Sequence, residues 1–279
     1  MRTSVQEDRL LVVSDIHMGN LLHRPRKAFS QFVQFAFENR YSVCLNGDGI
    51  DIAQLSMSQL NADLSPSLPL LSRFRSVGRS VYYTVGNHDI ALEHFLSDVG
   101  GMQVVPFLNV RSGDRRIRVE HGHMYDEMFL KHPWLYFQIM SIGKLAIGVS
   151  PGVYDALHRF MVGMLGMVEG VPRFFRRKVG TEELEAPPGI PGERQCFGLA
   201  AQSVGLRGFD VVTFGHTHIP GKVEFEFGTT YFNTGAWFAG PWCLAIHRGN
   251  TWFGPVADLT TDGDPFPIDG GDASGELGS

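Results

Sequence analysis

The sequence predicts an α/β fold that begins with alternating strands and helices and continues with antiparallel strands. Short apolar runs recur along the chain and stop abruptly at polar residues, which is typical of buried parallel strands carrying functional groups at the carboxyl edge of a sheet. Stretches with helical spacing separate the first of these runs. The 279 residues, 43% of them hydrophobic, are enough for one large core, so we expect residues 1–257 to form a single domain.

Five of the strand-like runs end in motifs rich in Asp, Asn and His. The first run, residues 10–13, is followed by Asp15 and His17, which an extended backbone would present on one side of the chain. A carboxylate oxygen beside an imidazole nitrogen suits a divalent first-row metal. In chain order the motifs are Asp15-Ile16-His17, Gly47-Asp48-Gly49-Ile50-Asp51, Gly86-Asn87-His88-Asp89, His121-Gly122-His123 and Gly215-His216-Thr217-His218. Each motif is common alone, so the prediction of a metal site depends on their combination at strand ends.

The segments between the motifs predict the remaining elements in order. Pro25 opens a helix with apolar residues at positions 29, 32, 33, 36 and 37. Residues 53–71 are polar and irregular, and a helix begins at residue 90 with Asp89 as its N-cap. Residues 104–110 and 116–120 form a predicted hairpin, and residues 195–204 a helix. Four alternating runs between residues 223 and 256 then complete an antiparallel edge or a second sheet.

Residues 125–180 have a different composition, dense in Met, Phe, Leu and Trp, and predict an insertion of two or three helices. The insertion is either a helical bundle packed on the core or a cap that accepts an apolar substrate tail. Residues 182–194 form a Pro/Gly-rich acidic linker. From residue 258 to residue 279 Gly, Asp, Pro and Ser dominate, which predicts a disordered tail.

The motifs, in this order, resemble those of the calcineurin-like metallophosphoesterases, and the resemblance extends from about residue 10 to residue 256. It implies a two-sheet β-sandwich flanked by helices, with two divalent metal ions as cofactors. Manganese is the expected metal, and iron, zinc, cobalt or magnesium are alternatives. The resemblance assigns Asp15, His17, Asp48 and His218 to one metal, and Asp48, Asn87, His121 and His216 to the other. Asp48 would bridge the two ions and so offset their mutual repulsion.

The same resemblance implies the catalytic roles. Water shared by the two ions, its pKa lowered by both, would attack phosphorus. His88 would act on the phosphoryl oxygen or protonate the leaving group, and Asp51 would orient it. We expect His123 to lie behind the ligands or to face the substrate.

Substrate recognition is less constrained by the sequence. Arg24 and Arg26 follow the first motif and either bind a substrate phosphate or belong to a solvated helix start. Asp51 is followed by Ile52-Ala53, where the protein Ser/Thr phosphatases have Arg-Gly, so a phosphoprotein substrate is not expected. The helical insertion resembles that of bacterial UDP-2,3-diacylglucosamine pyrophosphatases of lipid A synthesis. That group has Gly-Asn-Arg-Asp where this chain has His88.

Charge and composition set the expected partners and location. The net charge of −5 gives no overall attraction to nucleic acid, so the expected partner is a small or lipid-linked molecule that contains phosphate. Residues 1–9 lack an apolar signal core, and Cys44, Cys196 and Cys243 are expected to be reduced core thiols. We therefore expect a cytoplasmic protein, with peripheral contact to the inner membrane face through the insertion.

Three functional hypotheses follow. The first is a dinuclear-metal phosphoesterase that acts on a small or lipid-linked phosphoester or pyrophosphate. The second is a UDP-2,3-diacylglucosamine pyrophosphatase. The third is a non-catalytic, metal-bound interaction scaffold, and His88 counts against it because a scaffold has no use for a general acid.

Overall fold

A computed structural model describes residues 3–20, 25–51, 57–95, 101–131 and 188–267. Within these residues the strands are β1 Ser4–Gln6, β2 Arg9–Val13, β3 Ser42–Asn46, β4 Val81–Thr84, β5 Met102–Val105, β6 Leu108–Ser112, β7 Arg115–Val119, β8 Val211–Phe214, β9 Gly221–Glu224, β10 Thr230–Asn233, β11 Trp242–His247 and β12 Asn250–Pro255. The helices are α1 Arg26–Glu38, α2 Met57–Leu64, α3 Leu68–Phe74, α4 Glu127–Lys131, α5 Gln195–Gly205 and α6 Val256–Thr261.

The strands form two mixed sheets, which confirms the predicted fold class. The first sheet has the order β12-β11-β2-β3-β4-β5, in which β2 to β5 are parallel and β11 runs antiparallel to β2. The second sheet has the order β1-β6-β7-β8-β10-β9 and contains the predicted β6–β7 hairpin. The prediction of antiparallel strands between residues 223 and 256 holds for β9 with β10 and for β11 with β12. On its other side β10 pairs parallel to β8, a pairing that the prediction did not include.

Burial of alternate side chains on opposite faces of each strand produces three core layers. In β2, Leu10 and Val12 pack between the two sheets, whereas Leu11 and Val13 face the helices. The helix layer of the first sheet contains α1, α3 and α6, and Phe29 and Phe32 of α1 are fully buried there. Helix α5 covers β8 and β10 of the second sheet. The order of layers is therefore helix, sheet, sheet, helix.

Two local predictions differ from the structure. Residues 57–74 contain α2 and α3, although the polar sequence predicted irregular chain over most of this range. A 3-10 turn, Ile90–Phe95, stands where a helix was expected.

The tail from residue 258 was predicted to be disordered, and this is wrong for residues 258–267. Leu259 is buried in the core beside α1. Asp264 accepts hydrogen bonds from Arg9 Nη2 at 2.5 Å and from Tyr41 Oη at 2.6 Å. An apolar side chain on α6 and one buried ion pair therefore hold a segment whose composition predicted disorder.

Several predictions fall on residues outside the described ranges. Most of the predicted insertion, residues 132–180, is among them, as are Arg24 and residues 268–279 of the tail. None of the helices in the described part of the chain combines the length and apolar character that a membrane-spanning helix requires. Cys44 and Cys243 are buried thiols, as predicted, and Cys196 is partly exposed.

Candidate metal centre

The carboxyl ends of five strands meet at one edge of the two sheets. β2, β3 and β4 belong to the first sheet, and β7 and β8 to the second. The residues that follow these strands bring the seven predicted ligands together in three groups. In two groups all ligand atoms lie within 4.8 Å of one another, and in the third they are in direct contact. Two of these groups are Asp15 with His17 and His218, and Asp15 with Asp48 and His121. The third cluster consists of Asn87, His121 and His216.

The first group forms a triangle of three ligand atoms. Asp15 Oδ1 lies 3.1 Å from His218 Nε2 and 3.9 Å from His17 Nε2, and the two imidazole nitrogens are 3.4 Å apart. Asp15 Oδ1 is fully buried and receives no hydrogen bond of acceptable geometry from the described residues. A buried oxygen and two nitrogens that converge in this way fit a cation better than they fit each other.

The third cluster uses the other histidine pair and the amide of Asn87. Asn87 Oδ1 lies 2.8 Å from His216 Nδ1 and 3.2 Å from His121 Nε2. His121 Nε2 is also 3.3 Å from Asp48 Oδ2, which connects this cluster to the carboxylate predicted to bridge. His121 Nδ1 donates to the carbonyl oxygen of Asn46 at 3.0 Å, so the opposite nitrogen, Nε2, is the one left to act as a ligand.

The backbone of the ligands differs from the extended chain that the sequence predicted. Asp15, His17, Asp48, His216 and His218 all have positive φ angles, between 51° and 67°. Left-handed backbone costs a residue other than glycine about 1–2 kcal/mol, and such strain clusters at functional sites. The convergence was predicted correctly, whereas the turn that produces it is tighter than expected.

Two glycines are required for space rather than for their φ angle. A Cβ atom on Gly86 would stand 2.6 Å from the backbone nitrogen of Asp48 and closer still to its Oδ1. A Cβ atom on Gly215 would stand 2.5 Å from Asp15 Oδ2 and 2.6 Å from Ser14 Oγ. Both glycines therefore allow the main chain to approach a predicted ligand carboxylate closely.

Charges in the centre favour cations. Burial alone raises the pKa of Asp15, but nearby His121 and His218 lower it to about 2, and His121 and His88 hold the pKa of Asp48 well below its usual range. Burial and the neighbouring His88 lower the pKa of His17 to about 4, which keeps this imidazole neutral. Burial lowers the pKa of His121, but the carboxylates of Asp48 and Asp15 raise it to about 10, so a cation bound here would replace the proton on His121 Nε2. Ionised carboxylates and imidazole nitrogens without a proton are the forms that bind divalent metals, so the residues present fit a dinuclear divalent metal site.

His88 and Asp51 form a contact pair beside the ligands, as the sequence predicted. His88 Nδ1 donates to Asp51 Oδ1 at 2.9 Å, and Asn20 Nδ2 donates to Asp51 Oδ2 at 3.0 Å. His88 Nε2 lies 3.9 Å from Asp48 Oδ2. Burial lowers the pKa of His88, but the carboxylates of Asp48 and Asp51 raise it to about 9. Asp51 thus fixes one nitrogen of the ring and leaves the other facing the centre.

Asp89 has a different role from the predicted helix cap. Its carboxylate accepts hydrogen bonds from the backbone nitrogens of Gly49 at 3.1 Å and Gly86 at 2.6 Å, and from the hydroxyl of Tyr83. Asp89 therefore joins the two loops that follow β3 and β4, since each loop donates to one of its oxygens. Burial and the nearby charge of Asp48 raise the pKa of Asp89 to about 7.

The predicted substrate-binding residues are separated. His123 is buried beside the ligands, with ring centroids 5.5 Å from His121 and 6.5 Å from His216. Burial, and secondarily the charge of His121, lower the pKa of His123 to about 3. The Arg26 side chain is exposed on α1 and makes no contact with the centre in the described part of the chain, which favours the solvated helix start.

Four residues near the centre were missed by sequence reasoning. Asn20 binds Asp51, and the carbonyl of Asn46 orients His121. Asp126 Oδ2 lies 2.9 Å from His216 Nε2, and the ring of Phe238 lies 4.8 Å from that of His218. Asn46 directly precedes a motif, and Asn20 and Asp126 each follow one by three residues, so these three could have been included on that ground. Phe238 carries no such signal, because it is far from every motif in the chain.

Comparison with known proteins adds the following. The model of a family described as calcineurin-like phosphoesterase matches residues 8–220. No protein with a curated description matches the chain. A predicted phosphoesterase from Streptococcus pneumoniae is similar at 15% identity, with 90% of this chain and 91% of that chain covered and a TM-score of 0.35. Vps29 complexed with zinc from Entamoeba histolytica is similar at 14% identity, with 88% of this chain and 97% of that chain covered and a TM-score of 0.38. A dimetal phosphatase from Danio rerio is similar at 14% identity, with 89% of this chain and 98% of that chain covered and a TM-score of 0.44.

Proposed function

Because the chain belongs to the calcineurin-like phosphoesterase family, we propose that it is a dinuclear-metal-dependent hydrolase of a phosphoester or pyrophosphate bond in a small or lipid-linked substrate. The observation that carries the proposal is the His88–Asp51 pair at 2.9 Å, beside the clustered ligands. A protein that needed the metals only for its shape would have no use for an oriented imidazole among them. The pair therefore favours the enzyme over the non-catalytic scaffold.

The ligands are assigned to two ions that share Asp48. One ion would be held by Asp15, His17, Asp48 and His218, and the other by Asp48, Asn87, His121 and His216. When bound, the two ions supply activated water and neutralise charge on the phosphoryl oxygens. Manganese is the proposed metal, because a set of oxygen and imidazole ligands without thiolate suits it.

His88 has the proton-transfer role. Asp51 accepts the Nδ1 proton, so the Nε2 proton is the one available for the phosphoryl or leaving-group oxygen. Two nearby cations oppose protonation of His88, and the carboxylate of Asp51 offsets part of that effect. The pair thus keeps an acid in a centre that would otherwise favour neutral imidazole.

The test is metal-dependent hydrolysis of two model substrates, p-nitrophenyl phosphate and bis-p-nitrophenyl phosphate. Protein stripped with a chelator is expected to be inactive and to regain turnover with Mn²⁺. Asp48→Asn is expected to bind fewer ions and to stay inactive, because the substitution removes the charge that both ions share. Wild-type protein that binds two ions yet hydrolyses neither substrate with any of the five candidate metals would support the scaffold instead.

The UDP-2,3-diacylglucosamine pyrophosphatase remains a narrower alternative, and it depends on the insertion outside the described residues. His88, in place of the arginine of that group, counts against it. Turnover of UDP-diacylglucosamine that far exceeds turnover of unacylated UDP-glucosamine would support this substrate. Equal turnover of both would leave the general phosphoesterase. A cytoplasmic location and contact with the inner membrane face stay part of the same alternative.

A further inference from the structure

Asp126 contacts a proposed metal ligand and an arginine at the same time. Its Oδ2 lies 2.9 Å from Nε2 of His216 and is also in contact with Nη2 of Arg194. The Asp126 side chain is only 6% exposed, and that of His216 8%. The carboxylate is thus a buried acceptor shared by the imidazole of His216 and the guanidinium of Arg194.

The contact determines which nitrogen of His216 faces the centre. Asp126 accepts the Nε2 proton, so Nδ1 is the nitrogen left with a lone pair. Nδ1 lies 2.8 Å from Oδ1 of Asn87, which is proposed to bind the same ion. The ring is also held by Phe197, whose centroid is 5.8 Å away. Asp126 therefore fixes both the tautomer and the direction of the ring.

The positions of Asp126 and Arg194 in the chain add a second consequence. The two residues are 68 positions apart and stand at the two ends of the segment that contains the predicted insertion. Asp126 directly precedes α4, and Arg194 directly precedes α5. Their ion pair closes the base of this segment, and it does so at the side chain that holds a metal ligand.

We propose that Asp126 is a positioning residue that orients His216 toward the metal centre, and that Arg194 ties the base of the insertion to it. We name His216, Asp126 and Arg194 the Asp126 clasp. The proposal rests on the proposed function, since His216 is a ligand only if the centre binds metal. Carboxylates that accept a hydrogen bond from a ligand histidine typically change metal affinity by about 10- to 100-fold when they are removed.

The chain contains a matched control at another place in the fold. Arg9 and Asp264 also form an Arg–Asp pair, and the Asp264 side chain is 6% exposed, as is that of Asp126. Asp264 contacts Tyr41 rather than a histidine. Asp264→Ala therefore removes the same chemical group with the same burial but leaves the centre intact.

The experiment compares Asp126→Ala, Asp126→Asn, Arg194→Ala and Asp264→Ala with the wild-type protein. Metal-free samples are titrated with Mn²⁺ by calorimetry, and Co²⁺-loaded samples are examined by visible absorption, which reports on ligand geometry. Thermal unfolding of the metal-free forms measures the purely structural cost. Asp126→Asn retains the shape of the side chain and the oxygen that accepts the backbone N–H of Phe129 in α4 at 3.4 Å, and Arg194 is partly exposed. These two variants therefore serve if Asp126→Ala does not fold.

The clasp predicts that Asp126→Ala binds one of the two Mn²⁺ ions about 10- to 100-fold more weakly than the wild-type protein, and that its Co²⁺ spectrum is changed. Arg194→Ala is expected to show a measurable but smaller loss of Mn²⁺ affinity, below about 10-fold, because His216 keeps its acceptor. Asp264→Ala should lower the unfolding temperature without changing either metal measurement. Equal metal affinity and spectra in Asp126→Ala and Asp264→Ala would overturn the positioning role, and an unchanged Arg194→Ala would overturn the tie to the insertion. Wild-type protein that binds no metal would instead overturn the proposed function.

Discussion

Gly86→Ala tests most directly whether Asp48 is the ligand that both ions share. The added methyl group would stand 2.6 Å from the nitrogen of Asp48, closer than a carbon atom approaches nitrogen in an ordinary contact, and still nearer to Oδ1. Restoring a contact of about 3.5 Å requires a displacement of about 1 Å. Asp48 cannot yield freely, because its Oδ1 accepts the backbone N–H of His88 at 2.8 Å and its Oδ2 lies 3.3 Å from His121.

A displacement of that size falls on the carboxylate that both ions are proposed to share. Misplacement of a functional group by about 1 Å can lower activity about 100-fold. We therefore expect Gly86→Ala to lose both ions and to lower kcat/KM at least about 100-fold, with a destabilisation of about 1–3 kcal/mol from overpacking. Gly215→Ala crowds Asp15 instead, so it should weaken one ion more than the other.

The assay pairs ion counting by plasma mass spectrometry with hydrolysis of bis-p-nitrophenyl phosphate in Mn²⁺. Gly189→Ala is the control, because a Cβ atom there meets nothing within 4 Å and its φ angle is not positive. If Gly86→Ala carried two ions and matched Gly189→Ala in turnover, the assignment of Asp48 as the shared ligand would be refuted.

Three further predictions concern the same protein. His88→Ala should lower kcat by about 100-fold or more with both ions retained, whereas Asp51→Asn should lower it less, since the imidazole stays; loss of ions in His88→Ala would make His88 a ligand instead. Removing metal with a chelator should lower the unfolding temperature, because ion binding at 100 times its dissociation constant adds about 2.7 kcal/mol, and an unchanged melting curve would contradict a site in the fold. Truncation after residue 262 should lower the free energy of unfolding by about 3 kcal/mol through the loss of the Arg9–Asp264 pair, whereas truncation after residue 267 should leave it unchanged, both measured by chemical denaturation. Equal stability of the two truncated proteins would contradict a role for the pair.

Much of the centre was predictable because its residues stand immediately after apolar strands. Each of these ligands lies two or three residues past a strand end: Asp15, Asp48, Asn87, His121 and His216. Parallel strands bring such positions to one edge whatever the details of the turn. The left-handed backbone of Asp15 and Asp48 was not predictable, since it arises from the crowding of five chain segments.

Contacts between distant segments account for the remaining errors. The sequence around Asp126 does not indicate that the fold brings His216 beside this residue. Asp264 lies in a stretch whose composition predicts disorder, and its order depends on Arg9 and Tyr41. The parallel pairing of β10 with β8 likewise depends on which strand occupies the neighbouring place in the sheet. No local pattern encodes any of these partners.

The division of the ligands between two sheets has a consequence for how the protein matures. Asp15, His17, Asp48 and Asn87 come from one sheet, and His121, His216 and His218 from the other, so neither half alone can assemble the cage. A bound ion would link the two sheets across their interface, so ion binding would require that the sheets have packed together. Leu244→Ala would create a cavity between the two sheets, away from the metal centre. It should therefore weaken metal binding even where the protein remains folded.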